Sequence, residues 1–530
     1  MAPAIFTRTA GGRLQNSVSP IQNCRQTIVD NIGWLLTNQE LGVIMGRRTR
    51  TTGVAACWLL LAVSCGDDES SRDSTEDTPE GTTAVVPTDG ADGSVSSVPT
   101  SDGAAGSAPS EEAQVEAAQA AALEAAGGEE IGGSVSLLGV LGGEELDDFL
   151  QVLAPFEEAT GITVEYEGTR DLGAILQTRV EGGNPPDVVS TPGLGQMAEL
   201  ADQGEVVDLN ELVGADELAA NFSPSLIETA STDDQVYGIF STVNLGGLIW
   251  YDPNAYDGPT DPESWEALIQ WSREKAAADG VTPWCIGLES GAASGWPAAD
   301  FIDDILLRQA GPEFHEQWWR GEVPWTAPEV KRAFERYGEF ATDETLTYGG
   351  VTTSLTLNFA NGADAMYSDP PQCYLHQQAT FMGGIIASNF PDLEPGVDLD
   401  FFPAPTFNPE FEGIQSVSGE IISVLNETEQ STALARYMAT PEAGSLVGAT
   451  GRWLSPNSQV EAEIYADPFL RRASEVLLEA SGSHYLGNAL MPTALVEAFW
   501  QSGLDYVENP DELDQILSGL DEVRVEAYAD

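Results

Sequence analysis

The sequence predicts an α/β protein of at least two lobes, and three observations carry that prediction. The chain has 530 residues, far more than one hydrophobic core requires. Apolar residues make up 42% of it and include 12 Trp, so large aromatic surfaces need burial. From Ser134 onward, strand-like and helix-like stretches alternate, which means parallel strands joined by crossover helices.

Residues 134–141 read as a buried strand, and 144–160 as a helix with Leu146, Phe149, Leu150, Leu153 and Phe156 on one face. Residues 162–167 alternate as a second strand. A helix over 171–181 follows, with Asp171 as its N-cap. Asn184-Pro185-Pro186 makes a turn, 187–190 a third strand and 194–203 a third helix. Ligands of open parallel sheets meet the loops at the carboxyl ends of the strands. Here those loops are Gly168-Thr169-Arg170 and Thr191-Pro192-Gly193, which makes Arg170 and Thr191 candidate contacts.

The N-terminal region reads as an address. Arg47, Arg48 and Arg50 precede the apolar run 53–63, which is too short to span a bilayer as a helix but suits the core of a signal peptide. The run ends in Leu61-Ala62-Val63-Ser64-Cys65-Gly66, which resembles a bacterial lipobox, with Ala62 departing from the usual Leu. The resemblance implies cleavage before Cys65 and a lipid on its thiol. Met45 stands directly before the arginines and is expected to be the true start, leaving 1–44 as a mis-assigned extension. Beyond Cys65, Ser, Thr, Gly, Pro and acids dominate to about residue 110, too polar to offset ordering entropy. The Ala/Glu-rich stretch 111–126 has an apolar face almost entirely of alanine. A disordered acidic tether over 65–130 is therefore expected.

Charge excludes partners. Against 85 Asp and Glu stand 21 Lys and Arg, a net charge of -64, and the only lysines are Lys275 and Lys331. Such a surface repels phosphate backbones, so no nucleic acid is expected as a partner. Five Cys and three His show no metal-ligand spacing, and no phosphate loop or G-x-S-x-G occurs, so no metal, cofactor or catalytic residue is expected. Cys24 and Cys57 fall in the part expected to be removed, which leaves Cys285 and Cys373.

Longer motifs carry a family resemblance. The run Val164-Glu165-Tyr166-Glu167-Gly168-Thr169-Arg170-Asp171, followed by Gly183-Asn184-Pro185-Pro186-Asp187-Val188, resembles the first lobe of family 1 extracellular solute-binding proteins. Tyr237-Gly238-Ile239 through Leu248-Ile249-Trp250-Tyr251-Asp252-Pro253 resembles that family's first crossing between lobes. Pro283-Trp284-Cys285-Ile286-Gly287-Leu288-Glu289 and Met366-Tyr367-Ser368-Asp369-Pro370-Pro371-Gln372-Cys373 are similar to its α-glucoside-type branch. Leu490-Met491-Pro492 with Ala498-Phe499-Trp500 is similar to the last part of maltose-type receptors. The resemblance covers roughly 131–530. It implies a type II periplasmic-binding-protein fold, two α/β lobes joined by a multi-crossing hinge. Lobe one is placed at 131–242 plus 371–416, and lobe two at 243–370 plus 417–530.

That resemblance further implies a monomeric, extracytoplasmic, lipid-anchored receptor that passes a sugar to the permease subunits of an ABC importer without altering it. It also implies a disulfide between Cys285 and Cys373. A sugar needs fixed polar groups for its hydroxyls and flat rings for its C–H faces, and each buried polar group left unpaired costs about 1–3 kcal/mol. Trp296 in a Ser-Gly-Trp-Pro turn, Trp453 and Trp500 are the candidate rings. Arg170, Thr191, Asp369 and Glu420 are the candidate polar contacts, the last two at proposed crossings. Trp265, Trp271, Trp318 and Trp319 lie in helical patterns and are assigned to packing. Two alternatives stay open: a receptor of the same fold for a non-sugar solute such as a polyamine or phosphodiester, and a secreted glycosidase, since 85 acids always offer some carboxylate pair.

Overall fold

The computed structural model describes residues 110–232 and 235–529. Cys65, Cys24, Cys57, the apolar run and the extension 1–44 lie outside the described residues, as does most of the expected tether. The end of that tether is corrected. Glu111–Ala125 forms helix α1, capped by the Ser110 hydroxyl, with Ala118, Ala122 and Ala125 buried. An all-alanine stripe buries little area, yet its small size lets the helix lie close to its neighbours.

The first sheet follows the expected order. Strands β1 (Ser134–Gly139), β2 (Thr163–Gly168) and β3 (Val188–Thr191) pair in parallel, with β1 in the middle. Val135, Leu137 and Leu138 are all buried, as in a parallel strand covered by helices on both faces. Helix α2 (Glu144–Thr160) buries Phe149, Val152, Leu153 and Phe156, and Gly161 ends it in the left-handed conformation. Leu150, expected on the buried face, is 37% exposed. Helix α3 (Leu172–Glu181) starts at Asp171, but that side chain makes no capping bond. The Asp171 N–H instead donates to Thr169 Oγ1 at 3.1 Å, which turns the chain out of β2. Helix α4 (Leu194–Asp202) follows β3.

Strand β4 (Ile239–Phe240) ends this first passage, and β5 (Asn244–Leu245) leads across to β6 (Leu248–Tyr251) in a second sheet. That sheet also holds β7 (Trp284–Cys285), β8 (Leu375–Gln378) and β9 (Asp400–Pro403), in the order β9-β6-β8-β7. Helix α5 (Trp296–Ala310), which begins at the Gly295-Trp296-Pro297 turn, and helix α6 (Pro312–Trp319) belong to this lobe. Cys285 and Cys373 are bonded here, with their Cα atoms 5.7 Å apart. Strand β10 (Ile414–Ser418) crosses back, β11 (Ile421–Val424) enters the first sheet between β3 and β4, and helices α7 (Glu429–Met438) and α8 (Pro441–Ala449) cover it beside α1. Strand β12 (Gly482–Tyr485) makes the last crossing, into helix α9 (Thr493–Glu508).

The three crossings pair with one another as a small sheet, β12-β10-β5, which forms the hinge. The expected lobe boundaries need correction. Residues 375–378 and 400–403 pair with 248–251, and Ala404 and Phe407 join the second lobe's core, so 371–416 lies in the second lobe up to the crossing strand β10. Conversely, 421–424 pairs with 188–191 and belongs to the first. Residues 375–378 read Leu-His-Gln-Gln and 421–424 read Ile-Ile-Ser-Val, and neither short pattern says which sheet is joined.

A cleft between the two lobes

A cavity of about 240 Å³ lies between the lobes. The first lobe brings Arg170 and Asp171 from the end of β2, Thr191, Pro192 and Gly193 from the end of β3, and Gln196 from α4. The second brings Trp296 and Asp300 from α5, with Thr493, Val496, Glu497 and Trp500 from α9. The hinge supplies Ser418, Gly419, Glu420 and Tyr485 at its floor. Most are placed by strand ends, helix starts or crossings, while Trp500 stands midway along α9.

Aromatic rings form much of the wall. Trp296 packs edge-on against Phe359, ring centroids 5.1 Å apart, and tilts on Phe381 at 6.0 Å. Trp453 is 2% exposed and opens onto the cavity from the first lobe's core. Trp500 is half-buried on α9, and its indole Nε1 is buried without a hydrogen-bond partner, as is the Thr493 hydroxyl one helical stretch before it. Buried donors left unpaired are costly, so both are poised for an incoming acceptor.

Polar groups are unevenly committed. Arg170 Nη2 donates to Glu145 Oε2 at 3.1 Å, and the guanidinium lies 5.2 Å from the Phe359 ring centre. Glu420 is 8% exposed; one of its oxygens accepts from Ser190 Oγ at 3.4 Å. Burial, then the negative charge of Glu145, pushes its carboxyl up to about 8, against the pull of Arg170 and Ser190. Asp300 accepts from Asn488 Nδ2 at 3.1 Å. Burial, then Asp303 one turn on, pushes the Asp300 carboxyl up to about 8 as well. Behind it Asp303 bonds His315 at 2.5 Å, and Asp304 accepts from Arg308 at 2.9 Å and Ser416 at 2.5 Å, tying α5 to the hinge strand β10.

Six residues singled out by sequence, Arg170, Thr191, Trp296, Glu420, Trp453 and Trp500, line this one cavity. Asp369 does not. It is exposed on the Ser368-Asp369-Pro370-Pro371 turn of the second lobe, where Gln372 N donates back to Ala365 O and Tyr374 N to Pro283 O. The crossing expected there does not occur, so the turn never reaches the cleft. Gln196, Asp300, Phe359, Asn488 and Thr493 were not anticipated. A signal for Asp300 existed: Asp300, Asp303 and Asp304 share one face of a largely apolar helix, where acids need a polar purpose.

Residues 151–470 match the family described as bacterial extracellular solute-binding protein. The chain is 32% identical over 387 residues to the osmoprotective compounds-binding protein GgtB of Synechocystis sp., covering 72% of this chain and 91% of that one. It is equally 32% identical, over 391 residues, to the alpha-glucosides-binding periplasmic protein AglE of Rhizobium meliloti, covering 71% and 84%. A chitin oligosaccharide binding protein superposes with a TM-score of 0.63 at 18% identity, covering 75% of this chain and 99% of that one. Maltose-bound MalE3 of T. maritima gives 0.59 at 15%, covering 74% and 99%. Two α/β lobes about a three-strand hinge, a cleft between them and these matches lead to one assignment: the chain belongs to the bacterial extracellular solute-binding protein family.

Proposed function

We propose that this chain is the substrate-binding component of a carbohydrate ABC importer, that it captures an α-glucoside-type sugar between its lobes, and that it hands the sugar over unaltered. One observation carries the reading: a single cavity gathers Trp296, Trp453 and Trp500 with unpaired donors on Trp500 and Thr493, drawn from both lobes. Rings that can stack on C–H faces beside fixed polar atoms are what a sugar requires. The α-glucoside class is supported by the name of the AglE relative. Lipid attachment at Cys65, within a lipobox-like run, would hold the receptor at the membrane outside the cell.

The test is a thermal-shift screen across mono- and oligosaccharides, followed by calorimetry on each hit and chromatography of the recovered sugar. A ligand at a hundredfold excess over its Kd stabilises by about 2.7 kcal/mol, a readily measured shift. An α-glucoside should raise the melting temperature and be recovered intact. No shift with any sugar would refute the carbohydrate reading, and a cleaved product would refute the receptor reading.

A further inference from the structure

We propose that the cleft selects glycosides carrying a basic nitrogen, whose ammonium group is seated against the carboxyls of Glu420 and Asp300. The inference rests on the carbohydrate reading and narrows it.

The charge inventory of the cavity is lopsided. Its carboxyls are Glu145, Asp171, Asp300, Glu420 and Glu497, and its one basic side chain is Arg170. Arg170 is already committed to Glu145 and covers the Phe359 face. Asp171 and Glu497 are exposed at the rim, where water screens them. Glu420 and Asp300 are the two that face the interior without an ion pair, although Arg170 acts on Glu420 from a distance; one comes from the hinge beside the first lobe and one from the second.

Neither carboxyl is satisfied by the protein. Glu420 has the Ser190 hydroxyl at 3.4 Å on one oxygen, and the other takes no hydrogen bond among the described residues. The nearby Tyr485 hydroxyl cannot serve, because it donates to Gly419 O at 2.7 Å. Asp300 has one bond, from Asn488. Asp303 and Asp304 on its own helix only add negative charge, while Glu145 does the same to Glu420 against the opposing Arg170. Burial and these like charges push both carboxyls up to about 8, which favours the protonated form near neutral pH. Trp296, Trp453 and Trp500 line the same cavity, and aromatic rings beside a cation add a further attraction.

A neutral hydroxyl would leave the protons in place. An ammonium group brings three donors and one positive charge, so one of the two carboxyls ionises, its proton leaves to solvent and charge-assisted hydrogen bonds form, while the other accepts from the ammonium through its carbonyl oxygen. Because the pair spans hinge and second lobe, those bonds would also favour closure.

The experiment is calorimetry on the full chain near neutral pH, in buffers of different ionisation enthalpy. The probes are trehalose as a small α-glucoside, its amino-deoxy forms with the amine replacing each hydroxyl in turn, and their N-acetylated counterparts. At least one amino form should bind at least about tenfold more tightly than trehalose and than its own N-acetyl counterpart, with release of protons. In Glu420→Gln and Asp300→Asn, checked for folding by circular dichroism, that affinity ratio should fall toward unity. Trehalose matching every amino form in the native protein, or a ratio untouched in both folded variants, overturns the proposal and leaves the carbohydrate reading standing. Failure of every sugar, neutral or basic, in both this titration and the screen defeats both.

Discussion

Trp500 sits where two demands meet: its ring faces the cavity, and its indole N–H is buried without a partner. Replacing it separates them. Trp500→Ala should weaken sugar binding by roughly 2–4 kcal/mol, the range for a buried aromatic anchor. Trp500→Phe keeps most of the stacking surface and should lose only about 1 kcal/mol, the worth of one hydrogen bond. Calorimetry on both variants checks the order, and equal losses would mean that the ring contributes nothing. Glu420 and Asp300 give a stability effect of unusual sign. Their folded-state carboxyls are raised to about 8 from ordinary values of 4.5 and 3.8. Between those limits the folded protein keeps protons that the unfolded chain has lost, so raising the pH costs the folded state alone. The stability of the unliganded protein should therefore decline from about pH 5 to pH 8 through these groups, and Glu420→Gln should flatten that decline in thermal melts. At this scale the sequence was legible wherever a residue followed a recognisable strand, as Arg170 and Thr191 do. It was opaque for Phe359, Asn488 and Thr493, whose neighbours in space are remote in the chain, and for Asp369, whose role hung on a crossing that lies elsewhere.

Elements were more legible than residues, because periodicity is local and pairing is not. Helix α2 runs over 144–160 as its spacing predicts, and β1 to β3 fall within a residue or two of expectation. The strands at 375–378 and 421–424 were placed in exchanged lobes, since which sheet a strand joins depends on contacts more than a hundred residues away. Helix α1 shows the limit of judging by composition. Its Ala118 and Ala122 are fully buried, so growth at either position must displace a neighbouring helix. Ala122→Leu should cost about 1–3 kcal/mol as overpacking, and hydrogen exchange over 111–125 should quicken while ligand affinity stays as it was, because α1 does not line the cleft. The disulfide between Cys285 and Cys373 joins β7 to the segment entering β8. Closing a loop of this length contributes about 4–5 kcal/mol on the chain-entropy account, so Cys373→Ser should lower the urea midpoint markedly. Mass spectrometry of the non-reduced native protein should find the two peptides linked, and two free thiols would remove the basis of that estimate.

At the scale of the whole molecule, two glycines test whether the lobes move. A Cβ at Gly195 on α4 would lie 1.9 Å from the carbonyl oxygen of Met491, which belongs to the second lobe's core. Beside it, Glu199 accepts from Thr493 N at 3.2 Å, so a first-lobe carboxylate caps the start of α9. These contacts exist only while the lobes are together. A Cβ at Gly295 would lie 2.2 Å from the carbonyl oxygen of Trp500, but α5 and α9 are in the same lobe, and Gly295 is also in the left-handed conformation. The two substitutions should diverge. Gly295→Ala cannot be relieved by hinge motion and should lower the melting temperature. Gly195→Ala can be relieved by opening, and alanine within a helix is itself favourable by about 0.5–1 kcal/mol, so stability should be kept or raised. What it should lose is the closed form. Apparent affinity falls in proportion to the binding-competent fraction, so a tenfold loss of closure costs about 1.4 kcal/mol of binding. Small-angle scattering should show the native protein compacting with sugar and Gly195→Ala failing to compact at the same concentration. Native affinity and full compaction in Gly195→Ala would mean that the contact between α4 and Met491 plays no part in holding the ligand.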